Sequence, residues 1–226
     1  MNICTIITPN WIDRHLVRWC RYVRRSNPTA NLYLIMPQQF DLGKLTGEFK
    51  GVWYDDAEPS RYWLNSIRMR GCELFGVDEM IYCDADADIL EDLGSVTEDK
   101  TYEIASVPSP AIHRDWTAAS LELGWGVPEK EQNNGFLVMR RSFEKEYETA
   151  WEQSGICKDN RIRGTIAFNI MLHGMEKAKE LSYTTSVIWW NMEPDVMLKA
   201  KIIQYCSDKG KAKRWELEQL WRNAQV

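Results

Sequence analysis

The chain contains 226 residues, of which 44% are hydrophobic and 27% are charged, and its formal net charge is −5 at pH 7. A chain of this length fits one α/β domain and buries roughly 70% of its unfolded surface, so it needs neither a disulfide nor a metal in order to fold. The mild negative charge does not indicate nucleic acid as a partner. None of the six cysteines belongs to a Cys-x-x-Cys pair, which argues against a zinc site.

The termini and the cysteines indicate a cellular location. The first eight residues contain no basic stretch and are too short for a signal peptide, and no apolar run reaches transmembrane length. The cysteines lie mostly in apolar runs, which is typical of reduced, packed thiols. We therefore expect a cytoplasmic protein without a transmembrane segment.

Apolar runs alternate with amphipathic stretches along the chain. A first strand is predicted at residues 2–8, followed by a helix that Asn10 caps and that buries Leu16 and Val23 on one face. Residues 108–134 are predicted to form a long loop, and loops of this length are often functional. Further strands are predicted at residues 32–36, 51–54, 103–107, 136–139 and 202–205, and helices at residues 60–74, 165–174 and 214–222 and in a segment that ends near residue 154. This order predicts a single α/β domain over residues 1–226, with a mainly parallel central sheet and helices on both faces.

The first predicted helix also carries a basic stripe, formed by Arg14, Arg18, Arg21 and Arg25. Most stripes of this kind are solvated helix faces. A minority bind phosphate, acidic lipid or a polyanionic acceptor.

The most informative segment is Met80-Ile81-Tyr82-Cys83-Asp84-Ala85-Asp86-Ala87-Asp88-Ile89. Its apolar start predicts a buried strand, and the carboxyl end of a strand in an α/β sheet is where ligands bind. Side chains two residues apart on an extended chain point the same way, so Asp84 and Asp86 are expected to face one ion. Carboxylates are hard oxygen ligands that suit Mg²⁺ or Mn²⁺ bound to a diphosphate.

The Asp pair also has other interpretations. An acidic strand end is often only a solvated turn. An EF-hand loop that started at Asp84 would need Gly and Glu where this chain has Ile89 and Ser95, so that interpretation fails. An aspartyl phosphotransferase, with Asp84 as the nucleophile, stays open as a minor alternative.

Several further segments accompany the Asp pair in a fixed order. They are Thr8-Pro9-Asn10-Trp11 after the first strand, Arg68 on a helix, Asn133-Asn134-Gly135 before a strand, Trp190-Asn191, and the C-terminal run from Ile202 to Trp215. In this order they resemble the GT-A glycosyltransferases, and most of all family 8 of the retaining enzymes, which includes glycogenin and bacterial lipooligosaccharide galactosyltransferases. The resemblance spans nearly the whole chain, and its most specific part is the strand with Asp-Ala-Asp, supported by Asn133-x-Gly135.

The resemblance implies a GT-A, Rossmann-like domain and a role for each matching residue. Asp84 and Asp86 would hold Mn²⁺, or Mg²⁺, against the donor diphosphate, and Asn133 would meet the donor sugar or the acceptor. Arg68 would contact the donor phosphate or sugar. The remaining donor contacts would come from Thr8, Asn10 and Trp11 around the nucleotide and from Lys211 and Lys213 on the diphosphate.

Two segments depart from the family pattern. The family ends with Ile-Ile-His-Phe/Tyr-x-Gly-x-x-Lys-Pro-Trp, in which the His is the third metal ligand, whereas Gln204 stands at that position here. Gln204 can still coordinate through its carbonyl oxygen. The family also carries Asp-Gln-x-x-x-Asn, for which this chain has Gly164-Thr165-Ile166-Ala167-Phe168-Asn169. Either the match shifts locally toward Asp159, or the acceptor is positioned differently.

The function implied is a metal-dependent transfer of a sugar from a nucleotide-sugar donor, with UDP as the expected nucleotide and with retention of configuration. A nucleotide-sugar-binding protein that has lost catalysis is the alternative from another class, motivated by Gln204 and Thr165. The expected acceptor is a saccharide or a lipid-linked glycan, while a modified nucleic-acid base or a protein stays open.

Overall fold

The computed structural model describes residues 1–9, 12–157, 159, 162–188 and 199–205. Within these ranges ten strands form two sheets. The strands are β1 (Asn2–Ile6), β2 (Asn31–Met36), β3 (Gly51–Tyr54), β4 (Met80–Cys83), β5 (Ala87–Ile89), β6 (Ile104–Pro108), β7 (Gln132–Met139), β8 (Ala178–Glu180), β9 (Ser186–Ile188) and β10 (Ile202–Gln204).

The central sheet has seven strands in the order β3-β2-β1-β4-β7-β6-β8. Its pairs are parallel except for the two that β7 makes, with β4 and with β6. A second sheet of three strands, β5-β10-β9, lies beside it and was not predicted, because its strands are only three residues long. The prediction of a mainly parallel central sheet is confirmed.

The described helices cover both faces of the central sheet. They are α1 (Val17–Ser26), α2 (Arg61–Arg68), α3 (Gly71–Phe75), α4 (Arg114–Glu122), α5 (Glu144–Gln153) and α6 (Arg163–His173). A π-helical turn, Ile12–Leu16, precedes α1, and short 3₁₀ turns occur at Gly43–Glu48, Gly94–Thr97, Ser154–Ile156 and Tyr183–Thr185. No helix in the described ranges combines the length and the apolar character that crossing a bilayer requires.

Alternation along the strands divides the interior into two cores. On β2, Leu32 and Leu34 face one core, whereas Tyr33 and Ile35 face the other. The first core is completed by α1, which contributes Trp19, and the second by helices α2, α5 and α6. Each fully buried large side chain contributes roughly 1.5–3 kcal/mol to folding, so the two-sided burial stabilises the sheet from both faces.

Two predicted segments differ from the structure. The helix predicted at residues 60–74 ends at Arg68 and resumes at Gly71, where a methyl group would lie 3.2 Å from the side chain of Met80. A glycine is a poor helix former, and this one allows close packing against β4. The predicted loop at 108–134 contains α4, in which the helix formers Ala118, Ala119, Leu121 and Glu122 outweigh the flanking prolines and glycines.

Candidate functional site

A cavity of about 380 Å³ opens at the carboxyl ends of β1 and β4. β1 and β4 are parallel neighbours. From β1 the chain continues outward to β2 and β3 on one side and then returns to β4 on the other side, so the strand order reverses between β1 and β4. Ligands of open α/β sheets bind at such a switch point. Thr8, which follows β1, lines the cavity, as do Asp84 and Asp86 after β4. The structure therefore brings these three predicted residues together.

The two aspartates share the cavity because of a turn. The backbone N–H of Ala87 donates to the carbonyl oxygen of Asp84 at 3.1 Å, so residues 84–87 fold back before β5 begins. The N–H of Asp84 donates to the carbonyl of Gly135 at 2.9 Å, which ties the turn to β7. Both aspartates line one cavity, but the extended chain that was expected to align them is replaced by this turn.

Asp84 is held by a buried tyrosine. The Tyr82 hydroxyl donates to Asp84 Oδ1 at 2.5 Å, within the range of charge-assisted O–H···O⁻ bonds. Burial raises the pKa of Tyr82 well above its ordinary value, and the nearby Asp84 carboxylate raises it further although Arg68 opposes this. Tyr82 is therefore a permanent donor, which leaves Asp84 Oδ2 for other partners.

Arg68 is fixed in the wall of the same cavity and is only 8% exposed. Its Nη1 donates to the carbonyl oxygen of Asn134 at 2.7 Å and lies 3.6 Å from Asp84 Oδ1, while its guanidinium lies over the Tyr82 ring at 4.7 Å. Burial opposes the charged form, but the interactions with Tyr82 and Asp84 outweigh burial and raise the pKa of Arg68. The site thus carries a permanently charged guanidinium beside two carboxylates.

Three side-chain oxygens converge around Gly135. A methyl group placed on Gly135 would lie 2.7 Å from Asp84 Oδ2, 2.8 Å from Gln204 Oε1 and 3.0 Å from Asn133 Oδ1. The missing side chain therefore leaves a small space that faces acceptor oxygens of the kind that divalent cations prefer. Within the described ranges no three His, Cys, Asp or Glu side chains cluster as metal ligands, and two of the three oxygens at this space, those of Gln204 and Asn133, belong to amides. The donor set fits Mg²⁺ or Mn²⁺.

A bulge in β7 creates this arrangement. Ser106 of β6 pairs with Leu137, but the next residue, Val107, pairs with Asn133, so residues 134–136 have no partners on β6. Bulges re-aim side chains next to functional sites. Here Asn133 Oδ1 accepts from the N–H of Gly135 at 2.6 Å, and Asn133 lies beside the cavity, whereas Asn134 lines it.

Gln204 reaches the site from the second sheet. It is 2% exposed and pairs with Ala87 in the antiparallel β10–β5 ladder, and the N–H of Tyr205 donates to the carbonyl oxygen of Asp86 at 3.1 Å. The Nε2 of Gln204 donates to Ser186 Oγ at 2.8 Å, which orients Oε1 toward the space at Gly135. The structure therefore places the Gln204 side chain close to Asp84, and places β10 beside the backbone of Asp86, at the position that the resemblance implies.

Another wall of the cavity comes from α2 and the first turn of α6. Arg61, Leu64 and Asn65 line it from α2, and Gly164 and Thr165 from α6. The three on α2 were not predicted for the site, although they share a helix face with the predicted Arg68, at spacings of three and four. Gly164 and Thr165 belong to the segment that departs from the family pattern.

Asn169, the last residue of the segment that departs from the family pattern, supports β7. Its amide exchanges two hydrogen bonds with the backbone of Gln132, at 2.7 and 3.0 Å, and it is 5% exposed. Its role in the described structure is therefore to hold the start of β7 rather than to face the cavity.

Some predicted residues are outside the description or have another role. Asn10, Trp11, Lys211 and Lys213 lie outside the described residues, as does the helix predicted at 214–222. In the basic stripe, Arg18 forms a bidentate pair with Asp88, at 2.9 and 2.7 Å, and Asp88 is 1% exposed. This member of the stripe is structural, because it balances a buried carboxylate.

Comparison with known proteins identifies the fold. No protein-family model matches the chain, and no curated protein matches it by sequence. Among solved structures, the galactosyltransferase LgtC, in complex with donor and acceptor sugar analogues, matches with a TM-score of 0.70 at 12% identity, over 100% of this chain and 97% of that one. The chain has a GT-A glycosyltransferase fold.

Two further structures agree with this fold. An active-site mutant of LgtC matches with a TM-score of 0.69 at 11% identity, over 100% of this chain and 97% of that one. The bifunctional glycosyltransferase WbbM, without ligand, matches with a TM-score of 0.63 at 13% identity, over 92% of this chain and 46% of the WbbM chain. The predicted GT-A, Rossmann-like fold is confirmed. Because identity is low, activity has to be argued from the residues of this chain's own cavity.

Proposed function

We propose that this protein is a metal-dependent glycosyltransferase that moves a sugar from a UDP-sugar donor to an acceptor, with retention of configuration. The observation that carries the proposal is the convergence of Asp84 Oδ2 and Gln204 Oε1 on the space at Gly135, beside a cavity that also contains Arg68. An oxygen donor set beside a fixed cation suits the diphosphate of a nucleotide sugar. The GT-A fold raises this interpretation above a solvated acidic turn.

Asp84, Asp86 and Gln204 would hold the divalent ion. When bound, Mn²⁺ or Mg²⁺ would neutralise the negative charge that builds on the departing diphosphate. The ligand set is supported from within the protein, because the Tyr82 hydroxyl holds one Asp84 oxygen and Ser186 orients the Gln204 amide. Such supporting contacts tune metal affinity.

The remaining donor contacts follow from charge and position. Arg68 is anchored by Asn134 and needs no rearrangement to face a phosphate oxygen, so its charge is preorganised. Thr8 lines the β1 end of the cavity, where the resemblance assigns the nucleotide. We propose the same contribution for Asn10 and Trp11, and diphosphate contacts for Lys211 and Lys213, on the resemblance.

Retention is proposed from the resemblance to family 8, by attack on the face that the diphosphate leaves. Among the described residues that line the cavity, Asp84 and Asp86 are the carboxylates, and both are assigned to the ion. A covalent glycosyl intermediate would need a further carboxylate at the reacting carbon. Asn133, beside the cavity, is proposed to meet the donor sugar or the acceptor.

The acceptor is proposed to be a saccharide, free or lipid-linked, since the structurally similar LgtC was solved with donor and acceptor sugar analogues. A modified base or a protein remains the alternative acceptor.

The five described cysteines are free and buried, which supports a cytoplasmic location.

A donor screen followed by one substitution tests the proposal. We expect UDP and at least one UDP-sugar to raise the melting temperature in the presence of Mn²⁺, and UDP to bind more tightly than GDP in calorimetry. Asp86→Asn should then remove most UDP release, because the ion loses a charged ligand, while the matched surface variant Asp78→Asn should leave it unchanged.

The outcomes separate the alternatives. Donor binding without UDP release or transfer, across a broad panel of saccharide acceptors, would identify a binding protein that has lost catalysis. A phosphorylated Asp84 trapped from a phosphate donor would identify an aspartyl phosphotransferase. Full activity of Asp86→Asn at limiting Mn²⁺ would overturn the metal assignment, and inversion of the anomeric carbon, read by NMR of the product, would overturn retention.

A further inference from the structure

Asn65 and Gly164 are fitted to each other in the wall of the cavity. A methyl group placed on Gly164 would lie 2.5 Å from Asn65 Nδ2 and 2.8 Å from Asn65 Oδ1. Both distances are far inside van der Waals contact, so no other residue at position 164 leaves the Asn65 amide where it is. A glycine in a helix costs about 1 kcal/mol relative to alanine, and this one lies in the first turn of α6. The space that it provides is occupied by a polar amide that lines the cavity.

The Asn65 amide is held in one orientation. Its Nδ2 donates to the carbonyl oxygen of Arg61 at 2.7 Å, and its Oδ1 accepts from Asn134 Nδ2 at 2.9 Å. The carbonyl oxygen of Asn134 in turn accepts from Arg68 at 2.7 Å. The amide is therefore linked through two hydrogen bonds to the guanidinium that lies beside Asp84.

Part of the hydrogen-bonding capacity of this amide is not used by these contacts. A carboxamide has two N–H donors and two acceptor lone pairs, and the contacts with Arg61 and Asn134 take one of each. One donor and one acceptor remain on a group whose orientation is already fixed. That pair matches a hydroxyl group, which both accepts and donates.

We infer that Asn65 is a specificity-determining residue that binds a hydroxyl of the donor sugar, and that Gly164 is the small residue that makes this possible. The inference rests on the proposed function and extends it. A neutral amide contributes little to binding a diphosphate, and the cavity already has Arg68 and the proposed metal ligands for that purpose. An amide does discriminate between sugar epimers, because the epimer with the wrong hydroxyl configuration leaves a polar group of the amide unpaired.

The test uses titration calorimetry with Mn²⁺ on the 226-residue chain, with UDP, UDP-glucose, UDP-galactose and UDP-N-acetylglucosamine as probes. For Asn65→Ala we expect UDP affinity to be unchanged and affinity for the preferred UDP-sugar to fall about 2- to 10-fold, the equivalent of one neutral hydrogen bond. The affinities for UDP-glucose and UDP-galactose should also become more similar to each other, and a general loss of stability would not cause that change. The matched control is Asn31→Ala, which removes a hydrogen bond from the Asn31 amide to Asn2 outside the cavity.

A second substitution tests the fit between the two residues. Gly164→Ala should displace the amide and lower UDP-sugar affinity as Asn65→Ala does, and the double variant should be no worse than Asn65→Ala alone, because neighbours that act as a unit are not additive. Melting temperatures identify any variant that is unfolded, and the remaining single variant then carries the test.

The possible failures are distinct. If the wild-type chain binds neither UDP nor any UDP-sugar, the proposed function fails. If it binds them and Asn65→Ala weakens UDP and UDP-sugars equally, or leaves both the affinities and the epimer preference unchanged, the role of Asn65 is overturned while the proposed function stands.

Discussion

Replacing Gly135 with alanine should damage the proposed metal site without unfolding the protein. The added methyl group would lie within 3.0 Å of oxygens from Asp84, Gln204 and Asn133, and two of these distances are below 3.0 Å. The backbone at Gly135 is not in the left-handed region, so the cost is steric and not conformational. Overpacking of this kind typically costs about 1–3 kcal/mol of folding stability.

The larger expected effect of Gly135→Ala is on Mn²⁺ binding. Because the methyl group would push apart the oxygens proposed to hold the ion, we expect affinity to fall by roughly 10- to 100-fold, as when supporting contacts of metal sites are lost. Mn²⁺ titration followed by electron paramagnetic resonance measures the affinity, and urea unfolding measures stability. Gly47→Ala is the control, since a methyl group at Gly47 would contact nothing within 4 Å. Wild-type Mn²⁺ affinity in folded Gly135→Ala would refute the argument that these oxygens form one site.

Two further predictions concern single buried side chains. Gln204→His should tighten Mn²⁺ binding by on the order of tenfold, about 1.4 kcal/mol, because imidazole is a better ligand than an amide oxygen. If the affinity measured by calorimetry is unchanged, residue 204 does not face the ion. Burial raises the pKa of Glu131, although the N–H of His113, which donates to it at 2.7 Å, and the His113 charge oppose this. A raised carboxyl pKa contributes stability that is present below the ordinary glutamate value and lost as the pH rises through the raised one. Urea unfolding from pH 4 to 8 should therefore show wild type losing stability relative to Glu131→Gln as the pH rises, and a constant difference would contradict the shift.

Local patterns in the sequence were sufficient for most of the central sheet. β3 was predicted with its observed bounds, and the π-helical turn and α1 together bury the predicted face that includes Leu16 and Val23. The α1 segment has a strong helical period, and β3 is a short run of β-branched and aromatic residues, so their own residues determine them. β5, β8, β9 and α4 were missed because strands of three residues and a helix between prolines and glycines depend on their tertiary neighbours.

The site was predictable where its residues follow strands, and not where it depends on contacts between distant segments. Asp84 and Thr8 lie within two residues of the ends of β4 and β1, so the rule for strand ends finds them. The closeness of Gln204 to Asp84 required the β10–β5 ladder and the bulge at Gly135, neither of which has a local signature. Gly164 was noticed only as a departure from a family pattern, and its contact with Asn65 is visible only in three dimensions.

The three aspartates of the central motif show how one repeated residue acquires different roles. On an extended chain Asp84, Asp86 and Asp88 would all point the same way, and three carboxylates without counter-charges would repel one another. The turn that ends at Ala87 separates them, so that two line the cavity and Asp88 pairs with Arg18 behind it. Taking a charge out of water is costly unless it is paired, and the bidentate partner compensates Asp88 within the protein. Asp84 is supported by the Tyr82 hydroxyl and by Arg68, and it lines the cavity together with Asp86, so the proposed divalent ion would balance negative charge at this point.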